Sequence, residues 1–285
     1  MVLNDISTLH ANAPVAPQPI RPLSTLAGYI GGKRVLSKVL VPMIKDIPHT
    51  LYCEPFMGMG GVFFRRDARP RVEVVNDLSK DIATFFRVLQ RHYQAFLDVL
   101  KWQLTSRSEF ERLLRTDPDT LTDLERAARF LYLQKLSFGG KVGGRTFGIS
   151  TSDPSKFDVS RLMPLLEATH ERLAGVYIEC LPWQKFIDRW DRAHTLFFLD
   201  PPYWGVEDYY GKNMFERADF EELSAVLKNL KGKFILTLND VPEIRELFAW
   251  AEIKPVQLKY TASGQPTEAS EVIISNVPIR DAPMQ

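Results

Sequence analysis

The chain has 285 residues, 45% of them hydrophobic, and a formal net charge of +1. That length can bury a large core, as one big domain or one domain with an insertion, and near-neutrality means that any nucleic-acid surface is a local patch. The two cysteines, Cys53 and Cys180, lie among apolar residues and read as buried, reduced thiols. The five His are scattered without metal-ligand spacing, and no stretch has the pattern of a signal peptide or a membrane span. The expectation is a soluble, cytoplasmic protein with no membrane contact and no metal site.

Residues 1–24, with four prolines and little periodicity, predict a flexible tail. Gly28-Tyr29-Ile30-Gly31-Gly32-Lys33 follows, then Leu36, Val39, Leu40, Met43 and Ile44 at helical spacing. A glycine pair entering a helix lets the backbone approach a ligand, and Lys33 is placed to neutralise a carboxylate there. An ordinary loop with a solvated lysine is the plainer reading of this stretch alone. Pro42 predicts a kink or an early stop. Thr50 to Cys53 reads as a strand that enters Glu54-Pro55-Phe56-Met57-Gly58-Met59-Gly60-Gly61, a glycine turn, with a helix start at Val62-Phe63-Phe64. Val72 to Val75 alternates as a second strand ending at Asn76-Asp77. An acid there, about twenty residues after the glycine turn, suits acceptance of two ribose hydroxyls. It equally suits an N-cap for the helix carrying Leu78, Ile82, Phe85, Phe86 and Leu89. These pieces make one half of a doubly wound nucleotide-binding sheet.

From about residue 90 to 175 the pattern is helical, with capping-box signatures at Ser106/Glu109 and Thr122/Glu125. Within it, Gly139-Gly140-Lys141-Val142-Gly143-Gly144-Arg145 predicts a mobile basic loop, suited either to following a phosphate backbone or to serving as a plain connection. After a strand at Val176 to Cys180, the run Phe197-Phe198-Leu199 reads as a buried parallel strand that ends in Asp200-Pro201-Pro202-Tyr203-Trp204. Two prolines cannot continue a sheet ladder, so the chain stiffens where the strand ends of an open sheet bind ligands. Asp200 and the Pro201 carbonyl would be two fixed acceptors beside the ring of Tyr203. That set suits a planar base with an exocyclic amine, held by two hydrogen bonds and a stacked ring. Residues 205–214, with Tyr209 and Tyr210, are placed to close over such a base.

Taken together, Tyr29-Ile-Gly-Gly-Lys33, Glu54-Pro-Phe-Met-Gly-Met-Gly60, Asn76-Asp77 and Asp200-Pro-Pro-Tyr203, in that order over most of residues 25–276, resemble the Dam-like class of S-adenosylmethionine-dependent DNA adenine methyltransferases. The resemblance implies an α/β fold: a doubly wound methyltransferase-type sheet from 25–90 and 175–278, with a helical DNA-recognition insertion at 91–174. It implies methyl transfer from S-adenosylmethionine to the 6-amino group of a flipped-out adenine in double-stranded DNA. RNA adenine, a cytosine amine, or a silent DNA-binding role are the alternatives. It further implies that Tyr29, Lys33, Phe56, Gly58 and Gly60 line the cofactor and Asp77 holds its ribose. Asp200, Pro201, Pro202 and Tyr203 would bind the target base, Asp200 also bordering the cofactor, while Lys141 and Arg145 contact DNA. A cognate restriction nuclease is the partner the resemblance leaves open. The family's acid and nearby aromatic after the next strand are absent from Cys180-Leu-Pro-Trp183, so the contact to the cofactor's adenine stays unassigned, with backbone or Glu179 as options.

Overall fold

In the apolar strand runs, successive side chains face opposite ways, so one strand can serve two cores at once. The computed structural model describes residues 17–29, 31–148, 152, 154–205, 215–262 and 265–279. The short strand β1 (Gln18–Pro19) is followed by α1 (Ser37–Asp46), β2 (Leu51–Glu54), β3 (Ala68–Arg69) and β4 (Val72–Asn76). Then come α2 (Lys80–Arg91), α3 (Tyr93–Leu100), α4 (Arg107–Arg115), α5 (Asp123–Leu136) and α6 (Val159–Arg172). The remainder is β5 (Tyr177–Glu179), α7 (Trp183–Trp190), β6 (Thr195–Leu199), α8 (Arg217–Lys228), β7 (Lys233–Asn239), α9 (Pro242–Leu247), β8 (Glu252–Ala262) and β9 (Gln265–Ser275).

Seven strands form one sheet in the order β5-β4-β2-β6-β7-β9-β8. The first five are parallel, and β9 runs antiparallel to both β7 and β8. From β2 the chain winds outward through β4 to β5, then returns to lay β6 on the other side of β2. The order therefore reverses between β2 and β6, and the crevice at their carboxyl ends is where an open α/β sheet binds ligands. Glu54 ends β2 and Asp200 follows β6, so both acids stand at that switch point.

The alternation divides the core in two. Tyr52, Leu196 and Phe198 face one apolar cluster, with residues of α1 through α6. Leu51, Cys53, Phe197 and Leu199 face the other, with residues of α7, α8 and α9. The helices from α3 to α6 thus share their core with the sheet: Phe85 of α2 packs on Phe130 of α5 at 5.4 Å and on Phe96 of α3 at 6.0 Å.

Several expectations need correction. The glycine turn opens only a 3₁₀ turn, Phe63–Arg65, because at Arg66 the chain turns extended and the guanidinium is drawn inward to Glu73. Arg172 also pairs with Glu73, so Arg66 and Arg172 are buried in this cluster, while Arg69, 3.8 Å from the same carboxylate, stays partly exposed. Helix α1 continues through Pro42 but stops about one turn later, at Asp46. Cys180 lies just past β5 and is exposed, whereas Cys53 is buried. The box at Ser106 is half formed: its hydroxyl accepts from the Glu109 N–H, while the Glu109 carboxylate turns to Arg112 and Gln103. At Thr122 both arms are present. Thr122→Ala is accordingly expected to cost about 1 kcal/mol and to lower Tm by about 2 °C; a thermal melt unchanged from wild type would show that α5 is held by packing alone. Of the flexible tail expected at 1–24, residues 17–24 instead run along the domain, with β1 paired to β3 and the Leu23 N–H donating to the Phe64 carbonyl at 2.7 Å. Residues 1–16 and the closing segment expected at 206–214 lie outside the described residues.

Candidate active site

Strand β6 is buried along its whole length and delivers Asp200 at its carboxyl end. Asp200 Oδ1 accepts a hydrogen bond from Thr237 Oγ1 of neighbouring β7 at 2.8 Å and an ion pair from Lys33 Nζ at 2.8 Å. Burial pushes the Asp200 carboxyl above its ordinary range, and the Lys33 ammonium opposes that shift. Lys33 is 3% exposed, also donates to the Gly31 carbonyl at 2.9 Å, and lies 4.5 Å over the ring of Tyr203. The carboxylate that Lys33 neutralises is therefore one of the chain's own.

Beyond the prolines, the turn is clamped from the next two strands of the sheet, β7 and β9. The Tyr203 hydroxyl donates to Glu271 Oε2 of β9 at 2.5 Å. Trp204 exchanges two hydrogen bonds, each 3.0 Å, with the side-chain amide of Asn239 at the end of β7. Thr237, Asn239 and Glu271 stand apart in the sequence from Asp200-Pro201-Pro202-Tyr203, and only the β6-β7-β9 pairing unites them.

On the other side of the switch point, Gly58 and Gly60 adopt φ of 50° and 70°, which glycine takes without the steric cost of a side chain. The Gly58 N–H donates to Asp77 Oδ2 at 2.8 Å, and Ser79 N–H donates to Oδ1 at 2.9 Å. Asp77 thus fixes the glycine turn and the entry of α2 together. Burial raises its pKa from 3.8 to about 6 despite both bonds. The two glycines differ in role. A Cβ on Gly58 would stand 3.1 Å from the Tyr29 ring, whereas one on Gly60 would run into the Phe64 ring at 2.5 Å.

A single cavity connects these parts. Of the residues expected at the site, Tyr29, Lys33, Phe56, Gly58, Asp77, Asp200 and Pro202 line it. Gly60, Pro201 and Tyr203 lie outside the lining: Gly60 is a packing position, and Tyr203 sits beneath Lys33. Sequence reasoning missed Glu54, Leu181, Trp183 and Val142 as wall residues. Trp183 is 5% exposed, and its indole N–H donates to Asp219. An aromatic three residues past Cys180 was the available signal. Glu179, by contrast, pairs with Arg189.

Glu54 is 2% exposed and accepts from the Tyr52 hydroxyl at 2.6 Å. Burial lifts its pKa from 4.5 to about 8. A folded-state pKa above the unfolded one means that the stability contributed below pH 4.5 is lost as pH rises through about 8. Glu54→Gln keeps an acceptor for Tyr52 and removes that titration. Its Tm is expected to exceed wild type at pH 9 and not at pH 4; parallel melting curves across this range would contradict the assignment.

The glycine loop is described through residue 148. Lys141 is exposed, but Arg145 turns inward, donating to Gln134 Oε1 at 2.9 Å and to the Lys141 carbonyl at 3.2 Å. Arg145 therefore braces the loop, and the exposed cation is Lys141. Among the described residues no cluster of His, Cys, Asp or Glu is arranged to hold a metal, and no helix is long and apolar enough to cross a membrane.

As a whole, the cavity joins apolar and aromatic walls, a glycine turn and three carboxylates, Glu54, Asp77 and Asp200, whose burial disfavours bare negative charge. Such an acceptor set fits a nucleoside that brings hydroxyl donors and positive charge.

The family model for the D12 class N6 adenine-specific DNA methyltransferases matches residues 29–262. The chain is 23% identical over 199 residues to the Type II methyltransferase M.CviBI of Paramecium bursaria Chlorella virus NC1A, covering 69% of this chain and 76% of that protein. It is 22% identical over 269 residues to the Type II methyltransferase M1.LlaDCHI of Lactococcus lactis subsp. cremoris, covering 87% and 93%. With the DNA N-6-adenine-methyltransferase of Escherichia phage P1, identity is 25% over 214 residues, covering 68% of this chain and 27% of that protein.

Proposed function

This chain belongs to the D12 class N6 adenine-specific DNA methyltransferase family, and from that premise we propose that it methylates the 6-amino group of an adenine extruded from double-stranded DNA, with S-adenosylmethionine as methyl donor. The observation that carries this reading is the continuity of one cavity from Asp77 and the glycine turn to Asp200 across the β2–β6 switch point. The family membership sets aside the RNA and cytosine alternatives.

Asp77 holds the ribose hydroxyls, the Gly58 backbone and Tyr29 border the methionine part, and Phe56 and Trp183 flank the cofactor's base. Glu54, whose pKa burial raises, lines the cavity, and the positive charge of the cofactor would favour its ionised form there. S-adenosylmethionine supplies an already activated methyl group. What remains for the protein is alignment and charge. Asp200 and the Pro201 carbonyl accept from the target amine, drawing its lone pair out of the ring and stabilising positive charge as it develops on nitrogen. Holding the two reactants in line contributes up to about 7–11 kcal/mol in model reactions. Tyr203, anchored through Glu271 and lying outside the cavity lining with Lys33 over its ring, would border the adenine from beyond that ammonium. Lys33 and Thr237 both engage Asp200 Oδ1, so the amine is received on Oδ2 with the Lys33 pair intact. The helices α3 to α6 and the glycine loop carry DNA recognition, with Lys141 on the backbone, and the type II names of two relatives support a restriction nuclease of matching specificity as partner.

The test is methyl transfer from labelled S-adenosylmethionine to unmethylated genomic DNA, followed by digestion to nucleosides and sequencing of modified positions. The expected label is in methyladenine at one short sequence. Label in RNA or methylcytosine only, or none at all with folded protein, would overturn the reading.

A further inference from the structure

Gln134 is buried to 1% exposure in the last turn of α5, more than 100 positions from the start of the cavity wall it touches. Its Nε2 donates to two backbone carbonyls, Gly28 and Gly140, each at 2.8 Å, and its Oε1 accepts from Arg145. One side-chain amide thus ties the glycine loop to the segment that carries Tyr29 and Lys33. The approach is close: a Cβ on Gly140, at φ 68°, would stand 2.8 Å from the Gly28 carbonyl carbon and 3.0 Å from the Tyr29 nitrogen. The loop also reaches the cavity directly, since Val142 lines it together with Gly28 and Tyr29. Meanwhile Lys141, one residue past the clamp, is exposed.

A buried amide that has three polar partners cannot release one segment cheaply, because each orphaned carbonyl costs its desolvation. A displacement of the loop by DNA must therefore either carry Gly28 and Tyr29 with it or break these bonds. We propose that Gln134 is a positioning residue that couples the DNA-facing glycine loop to the cofactor cavity, so that DNA and cofactor each change the other's affinity. This rests on the cofactor and DNA roles proposed above. Linkage then demands equal factors in both directions.

The experiment measures the Kd of S-adenosylhomocysteine, which cannot turn over, with and without a duplex bearing the recognition sequence found by the labelling assay. In wild type, DNA is expected to change this Kd by at least about fivefold, the lower end of typical coupling. Gln134→Met keeps the volume and removes all three bonds. Gly140→Ala keeps Gln134 and forces the loop off Gly28. Both are expected to bring the ratio close to one, with DNA-free cofactor binding still measurable. A wild-type ratio of one, or an unchanged ratio in both variants, overturns the coupling while leaving methyl transfer intact. Failure of wild type to bind S-adenosylhomocysteine would instead defeat the cofactor reading itself.

Discussion

Asp200→Ala is expected to lower the single-turnover rate of adenine methylation by at least about 10³-fold, with a much smaller rise in cofactor Kd. Removal of one preorganised electrostatic partner of a transition state typically costs 10²–10³-fold in rate, and loss of the alignment it provides adds to this. The variant also has a side effect that the structure makes explicit. Lys33, nearly buried, loses its carboxylate partner, so a drop in Tm accompanies the loss of rate. Asp200→Asn separates the two effects: its amide oxygen retains an acceptor for Thr237 and Lys33 while the charge is gone. A folded Asp200→Ala protein with near-normal single-turnover rates would sink the catalytic assignment. An Asp200→Asn protein as slow as the alanine variant but as stable as wild type would locate the requirement in the charge.

The second large effect is expected at Asp77, where alanine should weaken S-adenosylhomocysteine binding by about 100-fold, consistent with losing hydrogen bonds to a charged group at roughly 1.5–3 kcal/mol. The rate at saturating cofactor should change little, since the proposed ribose role keeps Asp77 off the reacting atoms. Part of the loss comes through the glycine turn, because the Gly58 N–H loses its acceptor. Asp77→Asn keeps an oxygen for that N–H and should fall between. The pH dependence gives an independent reading. Hydroxyl donors favour the ionised carboxylate, so wild-type cofactor affinity should rise with pH through about 6 and level off above it. For folding the sign is opposite. With the folded pKa above the unfolded one, the stability contributed below pH 3.8 is lost as pH rises through about 6. A cofactor Kd that is flat from pH 5 to 8 would remove Asp77 from the ribose site.

The parts of the site that lie on one continuous stretch were legible in the sequence. Buried strand, carboxylate and paired prolines mark the end of β6, and glycines before an apolar run mark the turn proposed to hold the cofactor; local backbone chemistry dictates both. The same reasoning located the capping box at Thr122 and the approximate bounds of β2, β4, β5 and β6, but not the two-residue strands β1 and β3, whose pairing is a contact between distant segments. It overextended the glycine turn into an α-helix, because the burial of Arg66 against Glu73 is a contact between elements and leaves no periodic trace.

The amino-acid sequence by itself determined the fold class, the order of the motifs and the identity of Asp77 and Asp200 as the acids at strand ends. Only the tertiary structure decided what those acids touch. Lys33 pairs with Asp200, Thr237 and Glu271 brace the Asp200–Tyr203 turn from β7 and β9, and Gln134 pins the glycine loop to Gly28. The physical reason is range. Propensity and periodicity act over a few residues, whereas a buried charge or amide takes whichever partner the sheet order and helix packing bring within hydrogen-bond distance.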